Sequence, residues 1–403
     1  MEISSIATLS GIAAPSEARR EAAKRMAVEV LASLENRDDI IEKRGLDAKF
    51  GKPDANWADD SPNDFRDAVK LLATLEWTHI SNLRLMAQCF TGYSLREMKG
   101  ARGVRSVGEI SSDFDDRLRQ IDPTEVIRSW QDSVKDVPEW ARVKPPHILG
   151  EVGWYVDGVL VNYDTRVYQE RMTLLYSSGV LDKLRSLGRP ARILEIGGGY
   201  GALALALMEA VPDCEYVICD LPESLLFSGI YLSIATQNVK MHGGAGNERL
   251  SLLPNYLFDT LSENFDLVIN TLSMSEMSEY QVKRYASGIR NQISDHGIFF
   301  EQNQNNIVMG LSFAEALLAP EFPARQQMQS RMVLTEGSPN LWANSQQVLD
   351  GLQRPTAQAP AAKAAAIAPP VEAPPSPAVT PPASWMTRIK AGIKRRLASA
   401  TSR

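Results

Sequence analysis

No run of this 403-residue chain approaches the roughly 20 consecutive apolar residues that a membrane-crossing helix needs, so no transmembrane span is expected. The stretch Met1 to Pro15 has neither a basic start nor an apolar core, and a secretory leader is not expected there. Cysteine is scarce. Cys89, Cys214 and Cys219 are odd in number and lack metal-ligand spacing, which argues for buried thiols in a reducing cytoplasm rather than a disulfide framework or zinc site. The four histidines (His79, His147, His242, His296) show no ligand pattern, and no carboxylate cluster calls for a metal. A strong excess of either charge is missing too: 43 basic against 49 acidic residues leave −6, with no general nucleic-acid footprint. No internal repeat is found. What the chain does have is 44% hydrophobic residues, enough for a large core and a length that suggests two domains with appendages.

The densest signal lies at Arg192-Ile-Leu-Glu-Ile-Gly-Gly-Gly-Tyr-Gly201, an apolar strand running into four glycines. A helix is expected over Ala202–Val211, then a second strand, Tyr216–Asp220, that ends on a carboxylate. Strand, glycine turn, helix and acid-tipped strand form the first half of a doubly wound nucleotide fold. Glycine lets the backbone pass close to a ligand because no side chain occupies the space. Two patterns fit. Gly197-x-Gly199-x-x-Ala202 meets the dinucleotide fingerprint. Gly197-x-Gly199-x-Gly201 with Glu195 two residues ahead meets E-x-G-x-G-x-G, the pattern of S-adenosylmethionine-dependent methyltransferases. An acid at the strand tip repels a pyrophosphate and attracts an ammonium or sulfonium, which favours the second pattern. A ligand-free strand-to-helix turn is the weaker alternative.

Further strands extend the sheet. Phe265–Asn270 is a buried-strand run followed by the polar loop Thr271–Met277, at the edge where open α/β sheets bind ligands. A helix is expected over Tyr280–Ile293 and a strand over Ile298–Glu301. Arg249–Leu253 supplies a third strand, with Pro254-Asn255-Tyr256 at its tip near an adenine. The expected fold is α/β: a Rossmann-like doubly wound sheet with a helical amino-terminal cap and a disordered carboxy-terminal tail.

The cap, residues 1–145, is expected to hold helices over Glu17–Leu34, Asp64–Phe90 and Ser111–Val137, with Asn36–Asn63 irregular. Trp77 and Trp140 read as core. The catalytic domain spans 146–350. Residues 351–383 read as a Pro/Ala linker: between Leu352 and Ala383 lie nine prolines and eleven alanines, too little apolar surface to offset ordering entropy. In 384–403, Trp385, Ile389, Ile393 and Leu397 recur every fourth residue among six basic residues and no acid. That is a basic amphipathic helix suited to an anionic membrane surface, which places the protein in the cytoplasm at the inner membrane face. A solvated tail, or one docking on a partner protein or on acidic nucleic acid, is the alternative.

Asp157-Gly-Val-Leu-Val-Asn162-Tyr-Asp164-Thr165-Arg-Val-Tyr168-Gln-Glu-Arg171, Leu194-Glu-Ile-Gly-Gly-Gly-Tyr-Gly201, Asp220-Leu-Pro-Glu223 and Asn270-Thr-Leu-Ser-Met-Ser-Glu276-Met277 together resemble the bacterial sugar O-methyltransferase family over about Gly150–Trp342. The resemblance implies S-adenosyl-L-methionine as cofactor, held by Glu195, Gly197, Gly198, Gly199, Gly201, Asp220 and Leu221, with Asn255 and Asn270 beside them. It implies a sugar or glycolipid acceptor near Asn162, Asp164, Tyr168, Arg171 and Ser273. A hydroxyl acceptor is helped by a base: Glu276 has the better position, His242 the better pKa, and His147 is a third option. A non-sugar acceptor, or a non-catalytic module that binds the cofactor or a glycan, are the competing readings. The segment from Asn162 to Arg171 reads equally well as helix-surface charge with a capping Asp164-Thr165 pair.

Overall fold

The computed structural model describes residues 3–53, 64–87, 113–307, 310–329 and 338–352. The expected tail and all but the first two residues of the expected linker lie outside the described residues.

Before the main sheet come β1 (Ile3–Ala7), α1 (Glu17–Glu35), α2 (Arg37–Arg44), α3 (Ala48–Gly51), α4 (Asp64–Ala73), α5 (Trp77–Ile80), α6 (Leu83–Met86), α7 (Phe114–Arg119) and α8 (Thr124–Val134). Next are β2 (Gly153–Val156), β3 (Val159–Val161), α9 (Tyr163–Ser177) and α10 (Val180–Arg185). The alternating part runs β4 (Ala191–Ile196), α11 (Ala202–Ala210), β5 (Cys214–Asp220), α12 (Pro222–Thr236), β6 (Val239–Met241), β7 (Leu250–Pro254) and β8 (Phe265–Thr271). It closes with α13 (Glu279–Gln292), β9 (Ile293–Gln302), α14 (Ala314–Leu318), β10 (Ala324–Gln327), β11 (Asn340–Ala343) and α15 (Gln346–Asp350).

Eight strands form one sheet in the order β10-β11-β9-β8-β4-β5-β7-β6. The strands from β9 to β6 are parallel, whereas β11 runs antiparallel to β9 and β10 antiparallel to β11. The two-residue period of a strand sends alternate side chains to opposite faces. Ile193, Tyr216, Ile218, Leu252, Leu267 and Phe300 join the core under α1, α4 and α9–α12. Their neighbours Leu194, Val217, Leu253, Val268 and Phe299 join a second core with Phe50, α13 and α14. Both faces are covered, as a parallel sheet requires. The fold is the Rossmann-like doubly wound α/β sheet.

Several elements differ from expectation. Asn36–Asn63 was read as irregular, yet α2 and α3 occupy its described part; Asp47 caps α3 by accepting hydrogen bonds from the Lys49 and Phe50 backbones. The helix expected over Asp64–Phe90 is broken into α4, α5 and α6, with Leu75 turned to φ 56° between the first two. The one expected over Ser111–Val137 is split into α7 and α8 around Asp122-Pro123, because proline disfavours helical geometry in the residue before it. A three-stranded sheet, β1-β2-β3, and the antiparallel strands β10 and β11 were not anticipated.

Every described residue falls within one unit, Met1–Ala357. The cap is fused to the sheet by close packing. Met26, Ala27 and Val30 of α1 are buried against α12, where a Cβ on Gly229 would come within 2.9 Å of Met26 Cγ.

Candidate cofactor and methyl-transfer site

At the carboxyl ends of β4, β5, β7 and β8 lies a cleft of about 890 Å³, counting the solvent at its mouth. It is lined by Glu195, Gly197, Gly198, Gly199, Asp220, Leu221 and Asn255 on the strand tips. Tyr168 and Arg171 come from α9, and Ser273 and Glu276 from the loop after β8.

Gly197, Gly199 and Gly201 of the turn after β4 all have positive φ, and two of them are also confined by their neighbours. Gly197 has φ 76°, and a Cβ there would sit 2.1 Å from Ser273 Oγ. Gly201 has φ 91° and begins α11, where a Cβ would press on Leu232 at 2.6 Å. Gly201 therefore does not line the cleft; its requirement is backbone conformation and helix packing.

Glu195 and Asp220 flank this turn. Glu195 is 3% exposed and accepts a hydrogen bond from the Tyr216 hydroxyl at 2.9 Å. Burial pushes its carboxyl up to about 7, against the opposing pull of that hydrogen bond and of the Arg171 charge. Asp220 is also pushed up to about 7 by enclosure, although it accepts bonds from the Leu221 backbone at 2.8 Å and the Gly199 backbone at 3.1 Å. Two carboxyls held this high gain most from a ligand that brings positive charge or hydroxyl donors. Asn255 is buried, donates to the Phe50 carbonyl at 3.3 Å and leaves its Oδ1 without a partner, a vacancy for a donor such as an adenine amine.

The expected residues do not all come together. Asn270 is buried beneath the cleft, and its amide joins Ile196 O, Ser273 Oγ, the Met274 backbone and Asn303, so it braces the loop rather than facing a ligand. Asn162 is likewise corrected: it caps α9 reciprocally with Thr165 and donates to Glu151 and the Val152 carbonyl. Asp164 does not reach the cleft either, because Arg84 binds it at 2.7 Å in the interior. His242 follows the edge strand β6, three strands and roughly 14 Å from β4 at sheet spacing, against Ser251 and Glu263. His147 bonds to the Thr8 carbonyl and is also outside the cleft. Trp77 and Trp140 pack against the core.

Other residues went unread in the sequence. Pro53 of the cap, Ser224, Gln281 and Tyr285 line the cleft. Arg84 is buried, bridges Glu151 and Asp164, and lies over the Tyr200 ring. Only Ser224, next to the Asp-Leu-Pro-Glu motif, carried a local signal.

Residues 163–255 match the O-methyltransferase domain family. The chain is 34% identical over 155 residues to the release factor glutamine methyltransferase of Deinococcus radiodurans, which covers 38% of this chain and 49% of that protein. The chain thus spans about half the length of the curated relative it matches. Among solved structures, an O-methyltransferase family protein from Burkholderia thailandensis has a TM-score of 0.30 and 13% identity, covering 45% of this chain and 61% of that one. Human methyltransferase-like protein 13 in complex with S-adenosylhomocysteine has 0.30 and 15%, covering 42% and 79%. The fold is Rossmann-like, and residues 163–255 are similar to the O-methyltransferase domain family. Such domains take S-adenosyl-L-methionine, and the acid pair, the glycine cradle that a Cβ would fill, and the unpartnered Asn255 oxygen fit it.

Proposed function

We propose that this chain is an S-adenosyl-L-methionine-dependent O-methyltransferase whose acceptor is a hydroxyl of a sugar, in a glycan, glycolipid or nucleotide sugar. The observation that carries the reading is the placement of Glu195 and Asp220 on either side of the glycine turn, in one cleft with Glu276. When bound, the cofactor supplies a methyl group on positively charged sulfur. Glu195 would face the charged end, Asp220 would accept the ribose hydroxyls, and Leu221 and Asn255 would flank the adenine. Glu276, in the turn after β8, would take the acceptor hydroxyl's proton as general base. His242 and His147, being outside the cleft, are not proposed in that role.

Support for a hydroxyl-rich acceptor is chemical. Thr271, Ser273, Glu276 and Gln281 line the cleft with donors and acceptors, together with Tyr168 and Tyr285. Calorimetry with S-adenosyl-L-methionine and with NAD tests the cofactor; retention of NAD alone would sink the reading. Transfer of labelled methyl to polysaccharide or glycolipid in cell-envelope extracts tests the acceptor; label only in protein or small molecules excludes a sugar.

No helix among the described residues is long and apolar enough to cross a membrane. The basic pattern of 384–403 supports a peripheral tether on an anionic surface, with the Pro/Ala segment as its leash. Removing Ser384–Arg403 should abolish co-sedimentation with phosphatidylglycerol vesicles and leave turnover on a soluble acceptor intact.

A further inference from the structure

Arg171 is an oddity in a cleft read as a site for a cation. It is 3% exposed on α9, and its guanidinium lies over the Tyr168 ring, 5.0 Å from the centroid. Its Nε has no hydrogen-bond partner, and no carboxylate forms an ion pair with it among the described residues. The nearby acids are engaged elsewhere: Asp164 by Arg84 at 2.7 Å, and Glu195 by the Tyr216 hydroxyl. A buried cation without a partner is costly, and it is tolerated where a ligand completes it with an anion.

The strand order says which end of a ligand this would be. Asn255 follows β7 and Asp220 tips β5, so the nucleoside side of the cleft lies toward β7. Glu195 is on β4, one strand further along, and Arg171 lines the cleft with it. A negative and a positive group thus share the end opposite the nucleoside side. A molecule that carries an ammonium and a carboxylate on one carbon matches that pair.

We infer that Arg171 binds the α-carboxylate of the cofactor's amino-acid moiety, opposite Glu195 at its ammonium, rather than binding the acceptor. This rests on the cofactor reading above. It makes Arg171 part of a zwitterion clamp that separates the intact cofactor from nucleosides lacking the amino acid. An arginine suits the task because its planar fork meets a carboxylate through two parallel donors, which a lysine does not reproduce.

The test is calorimetry with S-adenosylhomocysteine and with 5′-methylthioadenosine, which keeps the nucleoside and lacks the amino acid, on the full chain. Arg171→Met should weaken S-adenosylhomocysteine roughly 10- to 100-fold, the range of a charged hydrogen-bonded contact, and leave 5′-methylthioadenosine unchanged. Arg171→Lys should fall between, and it carries the test if the methionine variant does not fold. Unchanged affinity for S-adenosylhomocysteine in either variant overturns the assignment and returns Arg171 to the acceptor. Equal loss for both ligands overturns it as well, since that marks a structural role. Wild-type protein that ignores both ligands overturns the cofactor reading itself, a result distinct from the other two.

Discussion

The guanidinium of Arg84 lies 3.7 Å over the ring of Tyr200, the residue between Gly199 and Gly201. The same guanidinium reaches Glu151 at 2.5 Å and Asp164 at 2.7 Å, and all three charges are buried. The cap is thereby joined to the glycine turn through one side chain. Removing one partner of a buried ionic group strands the others without solvent. Arg84→Met should therefore destabilise the protein by about 3–5 kcal/mol, read by chemical denaturation. A change below about 1 kcal/mol would mean that this network contributes little.

Glu276 and His242 separate cleanly in kinetics. Glu276→Gln should lower kcat by about 10²- to 10⁴-fold, the usual contribution of a general base, and leave S-adenosylhomocysteine affinity as it was. His242→Ala should turn over normally. Near-normal turnover by the glutamine variant removes Glu276 as the base.

Cofactor affinity should depend on pH with a defined sign. Burial pushes the Glu195 carboxyl up to about 7, so the folded protein without cofactor holds a proton there that the unfolded chain has lost. That contribution to stability shrinks as pH rises from the ordinary carboxylate range through about 7. A cationic ligand favours the ionised form, so affinity for S-adenosyl-L-methionine should rise roughly tenfold between pH 6 and pH 8, with Asp220 acting in the same direction. Glu195→Gln should flatten the profile; an unaltered slope would show that another group sets it.

Gly197→Ala should lose cofactor binding and stability together. Its φ of 76° penalises any Cβ, and the added carbon would meet Ser273 Oγ at 2.1 Å. The double change Gly197→Ala with Ser273→Gly clears the space but not the backbone cost. It should recover part of the loss, leaving a deficit of about 1 kcal/mol against Ser273→Gly alone. Full recovery would mean that the left-handed conformation is not required.

The parallel strands and the glycine turn were legible in the sequence because buried parallel strands are short apolar runs and the turn is local. What escaped was non-local. Arg84 meets Glu151 and Asp164 across 67 and 80 residues, a relation no spacing rule reveals. The family resemblance points the Asn162–Asp164 segment toward the cleft. Folding instead used Asn162 as a helix cap and Asp164 as a counter-ion. Strands β10 and β11 are only four residues each, too short to give a periodic signal; β11 pairs with β9 and β10 with β11. Tyr168 and Arg171 lie three residues apart on α9, on one helix face, and both line the cleft.

Pro53 forms part of the cleft wall, and the Phe50 carbonyl beside it holds the amide of Asn255. A version trimmed to the recognisable span of 163–255, or even to everything after residue 145, would keep the motif yet lose a side of the vessel. Shortening this chain by sequence likeness alone would discard material contributed from more than 140 residues upstream of the glycine turn.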